Sequence, residues 1–513
     1  SAMADSTTPL MQDGYGPEFK DKTRTYEGCS ALPQFLLQTF VVFPVWIMLV
    51  VPLMLIYQGI VMLVRLCHPV KPKDPFAGIS TDAIDNRPSR EERKFDFVLC
   101  GATGFTGKLA AEYLIKTYGT TKYNWAIAGR KQSKMDSLKR HLASLCSEEM
   151  KADVMSLPTI VADNKNADDM QRMCLQTKLV MSTVGPFVLY GSDLVAACAR
   201  SGTHYVDITG EIAWVRHVIS RLDATARATG ARIVNCCGQD SVPWDLVVFE
   251  ASKAFTNKGE ELKDIRIFDE FKGAASGGTI ATLFESFQRP LTKAKCFDAT
   301  ATAEHKQRGF DPMLADAKQN KATSKISTST LPKLCCSFNR ENSEYVAPFV
   351  MAPVNTNVVK RSNALLGYSP KLNYYEVETH SGCMAAWLSV LQTLWFATAI
   401  FFPPWKVLMM MTLPSPGQGP SREEMQAGYL KVKAIARSQT GSKHVVRLGF
   451  SVDPAYEDTA RMLVECGLCS LEEAAEKGGA CGVLSPMAAF GSRLTERLVR
   501  NGRGCHFSIA PVE

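Results

Sequence analysis

Three glycines at fixed spacing, in Gly101-Ala-Thr-Gly104-Phe-Thr-Gly107, follow a short apolar run, Phe95-Asp-Phe-Val-Leu-Cys100. A helical pattern from Lys108 to Thr117 comes next. Strand, glycine turn and helix in that order make a cradle for a pyrophosphate. The glycines let the backbone approach closely, and the helix start offers free N–H groups and the positive end of its dipole. Gly101, Thr103, Gly104, Phe105, Thr106 and Gly107 are therefore candidate cofactor-binding residues. The next apolar run, Asn124-Trp-Ala-Ile-Ala128, ends in Gly129-Arg130-Lys131. Enzymes that use NAD commonly place Asp or Glu here for the ribose 2′-hydroxyl, whereas an arginine clamps a 2′-phosphate. Arg130 and Lys131 thus favour NADP over NAD.

Such groups must meet at one edge of a sheet, and the periodicity supplies that sheet. Strands are expected at 159–163, 179–184, 204–208 and 232–236, with helices over 167–175, 192–200 and 212–229. Six strands separated by helices predict an α/β fold with a doubly wound parallel Rossmann sheet. Ligands then sit beyond the C-terminal strand ends. Asp163, Thr183, Val184, Gly185 and Pro186 fall there and join the cofactor candidates. Hydride transfer by a nicotinamide also needs an oriented acceptor and often a proton donor. Tyr190, Asp207, Glu211 and Asp240 are the catalytic candidates at the same edge. Asp207 and Glu211 stand four apart across a turn, where like charge would raise one pKa. Glu211 equally suits a helix cap, and Asp207 or Asp240 a loop tie.

Composition excludes several other classes. With 46% hydrophobic and 21% charged residues, the chain is neither disordered nor a coiled coil. A net charge of +7 over 513 residues is too diffuse for a nucleic-acid partner. The 16 cysteines occur singly or as adjacent pairs, which reads as reduced thiols in a cytosol-facing protein. Cys466-Gly-Leu-Cys469 stands alone without a second pair, so no metal site is expected. The YxxxK matches at Tyr118 and Tyr429 fall away from the expected cleft. No P-loop, HExxH or strand-to-helix GxSxG occurs.

Charge is missing altogether from Gly28 to Val64. This run is long for one membrane span and short for two. Pro44 and Pro52 favour a bend, leaving a kinked transmembrane helix or a hairpin in one leaflet. Basic residues flank both ends, which favours the hairpin with both ends in the cytosol. A helical pair buried in the protein's own core is the bland alternative. A second apolar stretch, Ala385 to Trp405, reads as a further membrane contact. The expected divisions are a polar tail (1–31), a hydrophobic membrane segment (32–66), a linker (67–93), the NADP-binding Rossmann domain (94–255), a second domain (256–440) with its apolar segment at 385–413, and a C-terminal part completing the fold (441–513).

The motifs together carry a family resemblance. Phe97-Val-Leu-Cys-Gly-Ala-Thr-Gly-Phe-Thr-Gly107, Trp125-Ala-Ile-Ala-Gly-Arg130, Val184-Gly-Pro-Phe187, Tyr205-Val-Asp-Ile-Thr-Gly-Glu211, Gln239-Asp-Ser-Val-Pro243 and Asp453-Pro-Ala-Tyr456 resemble the saccharopine dehydrogenase-like oxidoreductases. That group includes the trans-acting enoyl reductases of mycobacteria. The resemblance implies an NAD(P) Rossmann domain, then a mixed α/β second domain whose sheet covers the cleft. It also implies association with membranes or lipid droplets. A saccharopine-type substrate would need a cluster of cations, yet residues 265–284 are dominated by small residues such as Gly273, Ser276 and Gly278. The expected activity is therefore hydride transfer to or from a lipid-like carbonyl or alkene. The competing reading is a catalytically silent nucleotide-binding scaffold at a membrane or lipid-droplet surface. The expected partners are a lipid-like small-molecule substrate and that surface, with a homodimer left open. The endoplasmic reticulum or lipid droplet is favoured over the plasma membrane, and the mitochondrion stays open.

Overall fold

A computed structural model describes residues 43–67, 72–273, 276–288, 291, 313, 327–329, 336–367, 369–411, 414–415, 417–475, 479–501 and 504–512. The expected polar tail (1–31), the start of the apolar run (32–42) and part of the expected linker (68–71) lie outside the described residues. The first described element is a single helix, α1, built from Phe43–Val45, a π-helical turn Trp46–Val50, and Val51–Cys67. The favoured hairpin is not what these residues form, because the chain passes Pro52 without reversing. The reason is local. Val51 N–H bonds Trp46 O, a five-residue step that widens the turn ahead of Pro52, where the ring would otherwise meet a carbonyl.

The first sheet has seven parallel strands. They are β1 (Phe95–Cys100), β2 (Trp125–Gly129), β3 (Thr159–Val161), β4 (Thr177–Ser182), β5 (His204–Asp207), β6 (Arg232–Val234) and, from far downstream, β14 (Gly482–Leu484). Their order is β14-β6-β5-β4-β1-β2-β3. Phe97, Val98 and Leu99 are fully buried, as a strand covered on both faces requires. Helix α2 (Phe105–Tyr118) packs with Phe97 and Leu99 on one face. Helices α3 (Ala167–Cys174), α4 (Ser192–Ser201) and α5 (Ile212–Thr229) pack with Val98 and Cys100 on the other. The strand order reverses between β1 and β4, so a crevice opens there at the C-terminal edge.

The second sheet is mixed, in the order β15-β13-β12-β7-β11-β10-β9, with β8 (Ser327–Ser329) beside β11. Its long strands are β7 (Leu262–Lys272), β11 (Asn373–His380), β12 (Tyr429–Ser438), β13 (Lys443–Phe450) and β15 (Cys505–Val512). The short ones are β9 (Ser337–Asn339) and β10 (Glu344–Ala347). Only β7 with β11 and β11 with β8 run parallel among the described pairs. Helix α6 (Val242–Thr256) joins the two sheets. Its buried Trp244 donates from Nε1 to Asp269 Oδ1 on β7 at 3.1 Å. The expected linker is not loose over 72–93. Arg93 is buried and donates to Thr177 O (3.0 Å), Thr203 Oγ1 (2.7 Å) and Ser201 O, while Arg90 donates to Gly230 O (3.1 Å). These guanidiniums meet the negative C-terminal ends of α4 and α5.

Helices α7 (Gly277–Gln288), α8 (Cys383–Phe401) and α9 (Pro403–Met410) connect this body to α1. Phe43 and Trp46 pack on Trp395 with ring centroids 6.0 and 5.9 Å apart, and Trp46 Nε1 donates to Thr398 Oγ1 at 3.3 Å. Phe284 of α7 stacks on Phe396 at 5.8 Å, beneath Lys406. The outer sides stay apolar and exposed, through Met48, Leu55, Ile56, Met62 and Leu63 on α1 and through Trp387 and Leu394 on α8. Phe43–Val64 and Cys383–Phe401 are each long and apolar enough to cross a membrane, by length and composition alone.

Buried carboxyls make stability depend on pH, and Asp245 is one whose share can be isolated. Asp245 of α6 is fully buried and accepts Met487 N–H at 3.0 Å, capping α11 (Pro486–Arg500), with α10 (Thr459–Ala475) preceding it. Burial pushes this carboxyl up to about 7, against hydrogen bonds from Ser362 and Met487 that pull it down. A raised folded-state pKa means stability that is full below the unfolded value, about 4, and is lost as pH climbs to about 7. Asp245→Asn should lessen the slope of the melting-temperature profile across that window. The slope removed corresponds to about 1.4 kcal/mol per pH unit at most. A variant profile parallel to wild type would refute the assignment.

Candidate functional site

The glycine turn is built by close approach. Gly101 has φ +84, and a β-carbon there would lie 2.7 Å from both Thr183 Oγ1 and Val184 Cγ2. At Gly107 a β-carbon would lie 2.2 Å from Gly101 O. Gly104 N–H donates to Gly101 O (2.9 Å), and Thr183 Oγ1 donates to the same oxygen (3.1 Å). The loop after β4 is thus tied to the loop after β1 across the crevice. No acidic residue occupies the first turn of α2, so its dipole is left for an anion. A β-carbon at Gly129 would lie 3.9 Å from Thr103 Cγ2, which sets the end of β2 beside the turn. Arg130 and Lys131 are exposed there, and Arg130 has no ion-pair partner among the described residues. These features fit a dinucleotide carrying a 2′-phosphate.

Three other cofactor candidates take local duties. Phe105 packs edge-on against Tyr456 (5.2 Å), and a β-carbon at Gly419 would lie 2.5 Å from its ring. Asp163 accepts Lys165 N–H (3.1 Å) and so closes its own turn. Gly185, followed by cis-Pro186, faces α7, where a β-carbon on it would meet Thr282 Oγ1 at 3.4 Å.

A small polar cavity of about 60 Å³ continues from the turn. Thr106, Thr209, Gln239, Asp240, Thr279, Tyr456 and Thr459 are among its lining residues. Of the four catalytic candidates, Asp240 lines it. Burial pushes the Asp240 carboxyl up to about 6. Asp207 is fully buried and accepts Thr209 N–H (3.1 Å), Cys236 N–H (3.1 Å) and Asn235 Nδ2 (2.7 Å). Glu211 accepts Phe187 N–H (2.6 Å) and Val188 N–H (2.9 Å), capping the short helix Phe187–Tyr190. The expected Asp207–Glu211 pair does not form, since each carboxylate serves a different loop. Asp207 is still pushed up to about 6, but by burial, with its hydrogen bonds opposing. Tyr190 lies outside the cavity lining. Its carbonyl accepts Asn164 Nδ2 (3.3 Å), and Lys165 sits over its ring.

The residue that sequence reasoning left without a role is Tyr456. It sits in the second half of the chain, yet it lines the cavity. Ser276 N–H donates to its oxygen, and Thr279 Oγ1 lies 2.9 Å away. Asp453 holds the backbone by accepting Tyr456 N–H at 2.7 Å. Thr459 Oγ1 accepts Gln239 N–H at 3.1 Å, drawing the Asp240 loop to the same place. The Asp453-Pro-Ala-Tyr456 motif was the available signal; nothing in its spacing links it to Asp240.

Residues 97–234 match the family model of the saccharopine dehydrogenase NADP binding domain, which supports NADP as the preferred cofactor. A Mycobacterium tuberculosis protein provisionally named a trans-acting enoyl reductase is 36% identical over 426 residues, covering 80% of this chain and 96% of its own. The trans-acting enoyl reductase of Mycobacterium bovis is 32% identical over 429 residues, covering 80% and 97%. Among solved structures, saccharopine dehydrogenase from Saccharomyces cerevisiae overlaps 82% of this chain and 100% of its own, at 11% identity and TM-score 0.40. A homospermidine synthase from Legionella pneumophila overlaps 82% and 92%, at 10% identity and TM-score 0.41. Both structural overlaps are loose. With a third of its residues identical over nearly the whole length of the mycobacterial proteins, the chain belongs to the saccharopine dehydrogenase-like oxidoreductases that include the trans-acting enoyl reductases.

Proposed function

We propose that this protein is an NADPH-dependent reductase of a conjugated carbonyl borne on an apolar, lipid-like chain, working at a cytosol-facing membrane surface. The observation that carries this reading is the cavity that continues from Thr106 of the glycine turn to Asp240. When bound in the crevice, the cofactor would supply a hydride. Arg130 and Lys131 hold the 2′-phosphate, and the N–H groups opening α2 hold the pyrophosphate. Asp240, with its raised pKa, keeps a proton-bearing population near neutral pH. The names of the mycobacterial relatives support an enoyl substrate. The exposed apolar sides of α1 and α8 support the membrane surface, since α1 from Phe43 to Val64 spans about 33 Å against about 30 Å of hydrocarbon.

One observation favours the silent scaffold instead. The cavity has room for a few waters, and Phe105, Tyr456 and Gly419 pack over the turn. Turnover then requires the two halves to part. Following NADPH oxidation by absorbance with a long-chain α,β-unsaturated acyl thioester separates the readings. Oxidation supports the reductase; tight NADPH binding with no oxidation of any enoyl or carbonyl probe supports the scaffold.

Arg130→Ala should weaken NADPH binding by about 10- to 100-fold, the worth of a charge-assisted bidentate contact, and leave NADH binding unchanged. Titration by nucleotide fluorescence checks this, and equal losses for both nucleotides would remove Arg130 from the phosphate site. For the membrane, the full chain should sediment with phospholipid vesicles. The double variant Leu55→Glu, Leu63→Glu, altered only on the exposed side of α1, should stay in the supernatant. Sedimentation unchanged by both charges would reject α1 as the membrane contact.

A further inference from the structure

We infer that Tyr456 is a catalytic residue, the hydroxyl that meets the substrate's carbonyl oxygen and gives it a proton, with Gln239 as a second donor and Asp240 returning the proton. This rests on the reductase reading and names the group that completes it.

Four observations converge. Tyr456 is 4% exposed, yet it lines the cavity that continues from the glycine turn, and its hydroxyl lies 2.9 Å from that of Thr279, a second lining residue. Its oxygen accepts Ser276 N–H, which stabilises the phenolate left by proton transfer. The Thr279 hydroxyl, 2.9 Å from the same oxygen, is able to donate to it as well, and in that arrangement the phenol's own proton is free for a ligand in the cavity. Gln239 is 3% exposed and lines the same cavity, and its side-chain Nε2 has no hydrogen-bond partner among the described residues. A buried amide donor left unsatisfied costs stability, and an acceptor atom in the cavity would satisfy it. Finally, Asp240 lines the same cavity, and its charge adds to the burial that raises the Tyr456 pKa against hydrogen bonds from Ser276 and Thr279.

The step balances. Hydride adds to the β-carbon of the conjugated C=C, and the displaced electron pair moves to the carbonyl oxygen. There it takes the Tyr456 proton, breaking one O–H bond and making another. The phenolate recovers a proton from the Asp240 carboxyl, and Asp240 recovers one from water. Ketonisation of the enol then gives the saturated product. The substrate has gained a hydride and a proton, matched by oxidation of one NADPH to NADP. A simple carbonyl would use the same donors, because charge again develops on oxygen.

Tyr456→Phe keeps the ring on Phe105 and removes only the hydroxyl. With NADPH and a long-chain α,β-unsaturated acyl thioester, kcat should fall about 100-fold or more, with the NADPH Kd within about twofold of wild type. Asp240→Asn should cost about tenfold in kcat, again with NADPH binding retained. As a readout apart from turnover, the carbonyl stretch of the isotope-labelled thioester bound with NADP should sit lower in wild type than in Tyr456→Phe. Wild-type turnover retained in Tyr456→Phe, or an identical carbonyl stretch, overturns the inference and leaves the reductase reading standing. Absence of any NADPH oxidation by wild type overturns that reading and the inference together.

Discussion

Everything at the candidate site depends on two positions where no side chain fits. The backbone of Gly107 lies so close to Gly101 O that a β-carbon would sit 2.2 Å away, and Gly101 itself faces Thr183 and Val184 with no room to spare. This contact fixes how the start of α2 meets the end of β1, and it draws the loop after β4 against the same turn. The crevice between β1 and β4 is a general property of the topology. Its conversion into an anion cradle is a property of these glycines.

The rest of the site is assembled from sequence-distant pieces by buried polar ties. Gln239 N–H to Thr459 and Trp244 to Asp269 each join the nucleotide domain to the second half of the chain, and Ser276 N–H to Tyr456 ties two distant segments of that second half together. Hydrogen bonds of this kind add little net stability, but breaking one leaves a desolvated group unpaired. The cavity walls are therefore specified as a set. The same logic explains why carboxylates at strand ends divide their labour. Asp207 and Glu211 hold loops that shape the crevice, while Asp240, whose carboxyl accepts no hydrogen bond among the described residues, lines the cavity.

The nucleotide sheet was legible because buried parallel strands are near-continuous apolar runs, and β1, β2 and β4 read that way directly. The glycine spacing and Arg130 carried the cofactor. Three things were not legible. Strand β14 is only Gly482–Leu484, too short to show a period, and its place beside β6 is set by long-range packing. Pro52 looked like a bend because the π-helical turn that accommodates it leaves no composition signature. Asp207 and Glu211 looked like a pair because adjacency across a turn says nothing about which loop each side chain faces. Tyr456 shows the same limit, since a motif can mark a residue without saying what it touches.

Strand β14 also sets an order of events. Gly482 pairs with Arg232, so β6 emerges from the ribosome about 250 residues before its outer neighbour exists. Through that interval the nucleotide sheet has a bare edge, the kind of surface to which a foreign strand can add. Helix α1 has by then long been made. A nascent chain therefore makes its greasy helix before its unfinished sheet, and the sheet's edge at β6 stays open until the closing strand arrives.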